Sequence, residues 1–383
     1  MRIGIMGGTL DPVHNGHLCI AQAVLEHLKL DRIMLLPAGD PPHKSKPTLK
    51  TDRLNMARIA AEGNDGIFVC SIEIFREGTT FTVDTLTELS FWNPSTEWFY
   101  IIGSDTLDVL DTWRNLKGVS EKCTFAVVGR ADEAPDEARA AYLEENYGSK
   151  FKFIPFSGPD ISSTSVRMKA AKGEDISDIV PEGVAEYIRE NGLYLSSMSK
   201  RAMLEELKRT LKPSRVEHTL GVMETAVRLA RKYGAVPAKA EIAALLHDCA
   251  KYMEVKEMQK MLGAVPEDTD EQEINTPSIL HAPAGAILAR EKYGVQDPEI
   301  LSAIRKHTIG DASMSLLDAI IYTADFIEPG REYFPGLDEA RALAETDIFA
   351  AMRKCTELTN GYLISQGKKP HPKSLKLMNI TEH

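Results

Sequence analysis

Residues 4–18 read GIMGGTLDPVHNGHL. The apolar run RIGIM (2–6) predicts a first strand. NGHLCIAQAV (15–24) predicts a first helix, continued by Leu18, Ala21, Leu25 and Leu28 at helical spacing. Gly7 and Gly8 then stand where the chain leaves the sheet, and glycine lets a ligand approach the backbone closely. The helix N-terminus points unpaired N–H groups and a partial positive charge at the same spot, a setting for phosphate. His14 and His17, three apart, share one face at the helix start. Their ring N–H groups would face a triphosphate cradled by the backbone, giving charge stabilisation for phosphoryl or nucleotidyl transfer without a protein nucleophile. An isolated HxGH equally suits a capped turn with surface histidines; here glycines, position and periodicity agree on phosphate. Neither GK[ST] nor GxGxxG is present, so this is no Walker or dinucleotide loop.

Outward from that motif, short β-rich runs alternate with helical stretches: RIMLLPA (32–38), IFVCSIEIF (67–75), EWFYIIG (97–103), TFAVVGR (124–130) and FKFIPF (151–156). This alternation predicts an α/β, doubly wound, Rossmann-like parallel sheet with ligands at the carboxyl ends of its strands. VPEGVAEYIRENGLY (180–194) reads as its closing helix, with Pro181 at the start and Gly192 past the end. After LSSMSK (195–200) the periodicity is helical almost throughout, and Gly234 and Gly294 read as helix stops. Two domains are expected, 1–196 and an all-α 199–383.

The chain of 383 residues is 43% hydrophobic and 26% charged, as in ordinary soluble proteins. Its net charge of −11 argues against a nucleic-acid partner bound by bulk electrostatics. Five cysteines without a CxxC predict reduced thiols and no disulfide framework. No apolar run nears a membrane span and no signal-peptide pattern stands at the N-terminus, so no membrane partner and a cytoplasmic location are expected. A homo-oligomer stays open.

GGTLDPVHNGH paired with ISSTSVR (161–167) resembles the HxGH nucleotidyltransferase superfamily. The resemblance implies ATP bound by Gly7, Gly8, Thr9, His14, His17, Ser162, Ser163, Thr164 and Arg167, with His14, His17 and Arg167 catalytic. SSTSVR alone would also read as a helix cap. PPHK (41–44), TTFTVDTL (79–86), YIIGSDTL (100–107) and LDTWRN (110–115) are similar to the nicotinate-mononucleotide adenylyltransferase family. This implies that Thr82 and Trp113 contact the nicotinate ring of nicotinate mononucleotide, with Lys44 and Asp105 helping to build its pocket. VVGR (127–130) departs from that family's pattern, and Arg130 is assigned no role. The implied reaction is in-line attack on the α-phosphorus of ATP, with Mg²⁺ accompanying pyrophosphate.

In the second half, His218, His247, His281 and His307 stand in helical contexts beside two acids, Asp248 and Asp325. AALLHD (243–248) and IIYTAD (320–325) are apolar up to the acid, so each should end near a core, where charge must be paired or metal-bound. Four imidazoles and two carboxylates suit two transition-metal ions. His281, between TPSIL and Ala-Pro, is expected at a helix start; His371 and His383 are expected at the surface.

The order H…HD…H…H…D resembles the HD-domain phosphohydrolases. RVEHTLGV, AALLHDCAK, HAPAGA, IRKHTIG and YTADFIEPGREYFPG are similar to symmetrical bis(5′-nucleosyl)-tetraphosphate hydrolases. The resemblance implies that His218, His247, Asp248, His281, His307 and Asp325 bind two metals, with Asp248 bridging. It favours iron, while mixed N/O ligation also allows manganese. It implies hydrolysis of diadenosine tetraphosphate to two ADP by water acidified between two cations. Lys251, one turn after Asp248, together with Thr308 and Arg331, would contact phosphate; Lys251 also reads as a solvated helix face. Three alternatives remain for this half: another nucleotide as substrate, a non-catalytic nucleotide sensor that regulates the first half, or an oligomerisation module.

Overall fold

The computed structural model describes residues 1–40, 48–130, 136–263 and 269–378. The chain divides into two compact units, Met1–Lys169 with Asp175–Tyr187, and Ala170–Glu174 with Ile188–His383. The first holds six parallel strands: β1 (Arg2–Gly8), β2 (Arg32–Pro37), β3 (Ile67–Val69), β4 (Glu97–Gly103), β5 (Cys123–Arg130) and β6 (Phe151–Phe156). Their order is β3-β2-β1-β4-β5-β6, the doubly wound arrangement. The strands are apolar along their length because both faces of the sheet are covered. In β4 every residue from Trp98 to Ile102 is buried, and Ile5, Ile33, Leu35 and Phe125 are nearly inaccessible.

All six expected strands form, but IFVCSIEIF contributes only its first three residues. It is an edge strand paired to β2 alone, and beyond Val69 the backbone turns on itself, Ile74 N–H donating to Ser71 O at 3.0 Å. The winding direction reverses between β1 and β4, which opens a crevice beyond their carboxyl ends.

The second unit is helical, with no strand among its described residues. The helix Pro237–Leu246 is short and apolar almost all round, with Ala243 to Leu246 buried. It therefore lies in the core, and the two residues that follow it, His247 and Asp248, are delivered to the interior. Leu316–Ile327 does the same for Asp325, capped at its start by Ser315, whose hydroxyl accepts from Asp318 N–H (3.1 Å). Helices Pro213–Tyr233, Pro277–Glu291 and Pro298–Lys306 each begin on proline, and Gly234 ends the first of them at φ 77°.

Two histidines differ from expectation. His371 is buried, not exposed: it precedes the helix Pro372–Leu377, which Leu377 anchors in the core, and its Nε2 lies 3.2 Å from Asp270. His281 lies a full turn inside Pro277–Glu291 and is also buried, because Pro277 starts that helix early. His383 is outside the described residues. All five cysteines are free, and no helix among the described residues is long and apolar enough to cross a membrane.

Candidate active sites

In the first unit, β1 ends at Gly8 and the chain reaches His14, which caps the helix Asn15–His27. A side chain at Gly7 would collide with the Tyr100 hydroxyl on neighbouring β4, so any larger residue there would require the buried Tyr100 ring to move. Arg53, almost wholly buried, donates to the carbonyls of Thr9 (2.9 Å), Ala38 (2.6 Å), Gly39 (2.8 Å) and Thr48 (3.0 Å), bracing this loop from below. No motif signalled Arg53; its role rests on carbonyls from three separate segments.

The two imidazoles lie against each other, with ring centres 3.7 Å apart and planes tilted by 33°. His17 Nδ1 accepts from the His14 backbone N–H (3.2 Å), which leaves the proton of neutral His17 on Nε2. Burial lowers the His14 pKa to about 4, so this ring is neutral near pH 7. The second motif joins the first: Ser163 Oγ donates to Pro12 O (3.0 Å), and Arg167 donates to Asp11 O (2.6 Å) and to Thr164 Oγ1 (3.1 Å). Ser162 and Ser165 exchange backbone-to-hydroxyl bonds, so the capping reading also holds locally. His14, His17, Arg167 and two hydroxyl-bearing residues thus gather around one backbone turn and two helix starts, an arrangement suited to an anion.

Thr82 opens the helix Thr82–Trp92 and its side chain bonds the buried Tyr100 hydroxyl, whose pKa is raised by burial and by nearby Glu73. Trp113, half-buried, packs edge-on against Tyr100 (5.6 Å) and Phe125 (6.3 Å). Thr82 and Trp113 therefore meet through Tyr100, which sequence reasoning passed over as a strand residue. Asp105 follows β4, exposed, with Thr106 Oγ1 donating to it at 3.4 Å. Lys44 lies outside the described residues.

In the second unit, six side chains from five helices or helix ends converge. His218 Nε2 is 2.9 Å from Asp325 Oδ1, and His247 Nε2 is 3.4 Å from Asp248 Oδ2 and 3.8 Å from Asp325 Oδ1. His281 Nε2 is 3.0 Å and His307 Nε2 3.6 Å from Asp248 Oδ1. Three triads, His218/His247/Asp248, His247/His307/Asp325 and Asp248/His281/His307, each have donor atoms close enough to share one ion.

Outer-ring contacts orient the set toward a metal. His247 Nδ1 faces Ala244 O (2.6 Å), His307 Nδ1 faces Ile304 O (2.7 Å) and His218 Nδ1 faces Glu328 Oε1 (3.1 Å). Each of those oxygens can accept an Nδ1–H, which would leave the Nε2 of the ring to face an ion. His247 Nε2 and Asp248 Oδ1 are buried with close neighbours but no aligned hydrogen bond, as befits atoms aimed at a common point. The residues fit a divalent-metal site.

Burial opposes ionisation of Asp248, yet His247, then His281 and His307, hold it well below the carboxylate range. Asp325 is likewise held down, against burial, by the His218 bond and by His247 and His307. Burial alone would lower His247, but the two aspartates outweigh it and raise its pKa; His281 stays low, at about 4, through burial.

Lys251 is not a solvated face: its Nζ lies 3.0 Å from His281 Nε2 and 3.4 Å from Asp248 Oδ1. Thr308 Oγ1 is buried without a partner among the described residues. Arg331 donates to the Asp325 carbonyl (2.7 Å) and lies 3.6 Å from its carboxylate. Sequence reading missed Arg215, 3.1 Å from Asp248 Oδ2, and Glu328. The arginine stands three residues before His218, so helical spacing could have flagged it.

Residues 5–169 match the cytidylyltransferase-like family and residues 215–330 the HD domain family. The first half is 36% identical to a probable nicotinate-nucleotide adenylyltransferase of Clostridium tetani over 194 residues, 50% of this chain and 97% of the relative. The second is 41% identical to a symmetrical bis(5′-nucleosyl)-tetraphosphatase of Bacillus subtilis over 182 residues, 48% of this chain and 97% of the relative. A Mycoplasma genitalium protein described as a probable nicotinate-nucleotide adenylyltransferase/Ap4A hydrolase aligns over 91% of this chain and 94% of its own length at 28% identity.

Proposed function

Because the chain belongs through its first half to the nicotinate-nucleotide adenylyltransferases and through its second to the symmetrical bis(5′-nucleosyl)-tetraphosphatases, we propose that it is a bifunctional enzyme. Domain 1–196 transfers AMP from ATP to nicotinate mononucleotide, giving nicotinate adenine dinucleotide and pyrophosphate. Domain 199–383 hydrolyses diadenosine tetraphosphate to two ADP.

In the first domain, Gly7, Gly8 and Thr9 let the triphosphate lie against the backbone, with Ser162, Ser163 and Thr164 supplying further contacts. Oxygen of the mononucleotide phosphate forms a bond to the α-phosphorus as the bond to the β-phosphate bridging oxygen breaks. His17 donates through Nε2–H, neutral His14 lies against it, and Arg167 neutralises developing charge. Mg²⁺ supplies further neutralisation on the leaving pyrophosphate. Thr82 and half-buried Trp113 receive the nicotinate ring, with Asp105 and Lys44 completing the pocket.

In the second domain, His218, His247, Asp248, His281, His307 and Asp325 would hold two transition-metal ions, iron by family resemblance, which when bound would supply Lewis acidity for water attack. Lys251, Arg215, Thr308 and Arg331 orient the polyphosphate. The observation that carries this half is the inward convergence of four Nε2 atoms and two carboxylates.

The test assays the intact protein with ATP and either nicotinate or nicotinamide mononucleotide, and in parallel with diadenosine tetraphosphate after loading with Fe²⁺ or Mn²⁺. Dinucleotide formation and ADP as sole hydrolysis product are expected. His17→Ala should lower transfer by ~10²-fold; ATP plus AMP from the tetraphosphate would refute symmetrical cleavage.

A further inference from the structure

We propose that the two ion positions of the second unit are unequal: the one on the His218 side holds its ion tightly through Glu328, and the one on the His281 side exchanges readily. This rests on the di-metal reading above.

The triads His218/His247/Asp248 and Asp248/His281/His307 share only Asp248, so His218 and His281 stand at opposite ends of the cluster. Their outer shells differ. His218 Nδ1 faces a carboxylate where His247 and His307 face carbonyls. That carboxylate is fixed from several directions. Glu328 is buried, and its second oxygen accepts the Gly330 N–H. Arg341 donates to the main-chain oxygens of Ile327 (3.2 Å) and Glu328 (3.1 Å), so the turn carrying Glu328 is itself held. Gly221, one turn beyond His218 on the same helix, makes the approach possible: a Cβ there would stand 2.7 Å from Glu328 Oε2. A carboxylate on the outer nitrogen fixes the ring and strengthens the inner nitrogen as a ligand.

At the other end, His281 Nδ1 is buried with no partner among the described residues. No outer contact among them fixes this ring as Glu328 fixes His218. Its Nε2 faces the Lys251 ammonium at 3.0 Å and His307 Nε2 at 3.2 Å, so a cation of the chain competes for the lone pair that an ion needs. An ion at this end gains a less ordered ligand and must displace Lys251.

The full-length protein is loaded with Mn²⁺, freed of excess, and titrated with a chelator while bound ions per chain are followed by atomic emission and electron paramagnetic resonance. The wild type should lose its ions in two steps, separated by about tenfold or more in chelator concentration. Glu328→Gln, which keeps an acceptor oxygen but removes the charge, should move the later step by about tenfold toward the earlier one. His281→Gln should remove the earlier step and leave the later one, and it gives an independent reading if the Glu328 variant does not fold. Two ions leaving the wild type together, a later step unmoved in Glu328→Gln, or loss of the later step in His281→Gln overturns the proposal. A wild type that never holds two ions overturns the di-metal reading itself.

Discussion

Arg167 donates through Nη1 to the main-chain oxygen of Asp11 at 2.6 Å, across 156 positions of sequence. Nη2 reaches Thr164 Oγ1 at the same time, so the guanidinium is a strut between the segment that carries the first motif and the helix of the second. Lysine keeps the charge but cannot fork. Arg167→Lys should therefore lower kcat for adenylyl transfer by ~10² with a smaller change in KM for ATP, measured by steady-state kinetics. A lysine variant within twofold of wild type would remove Arg167 from the machinery.

His14 is neutral because it is buried, with a pKa lowered to about 4 from an ordinary 6.5. Between those values the unfolded chain binds more protons than the folded one, so the His14 contribution is full above pH 6.5 and is lost as pH falls toward 4. NMR titration of the ring should show no more than about a tenth of it protonated above pH 5 without nucleotide, and ATP should raise the midpoint through its phosphate charge. A free-protein midpoint near 6.5 is the contrary result.

Arg53 satisfies four carbonyls from within the fold. Arg53→Met fills similar space but leaves buried acceptors unpaired, at about 1–3 kcal/mol each before relaxation. Urea unfolding should show the first unit destabilised by about 3 kcal/mol or more, with the second-unit activity intact. An unchanged urea midpoint would mean that water or neighbouring groups replace the guanidinium.

Asp248 is the acid common to two of the three triads. Asp248→Asn removes its charge and replaces one of its two oxygens by NH2, so hydrolysis of the tetraphosphate should fall by ~10³-fold or more and bound metal should drop. Adenylyl transfer in the same preparation should stay within about twofold of wild type, since this reading gives the transfer chemistry to residues of the first unit. A parallel loss of both activities would mean that the substitution unfolds the protein or that the sites depend on each other.

Alternation of apolar runs with helical spacing was enough to anticipate the parallel sheet and the change to helices, because burial on both faces leaves a continuous apolar signature in a strand. GGTLDPVHNGH and AALLHD also marked their candidate sites locally: glycines at a strand end leave room for a ligand, and a charged pair closing an apolar helix is costly without a partner. Tertiary structure alone decided the rest. Arg53 reads as an ordinary helix residue until carbonyls of residues 9, 38, 39 and 48 surround it. Glu328 reads as a helix-end acid until it meets His218, 110 residues earlier. His371 reads as a surface tail residue until Leu377 draws its helix into the core. In each case the deciding contact is long-range. Periodicity records which face of an element is buried, whereas only folding determines which side chain of another element meets it there.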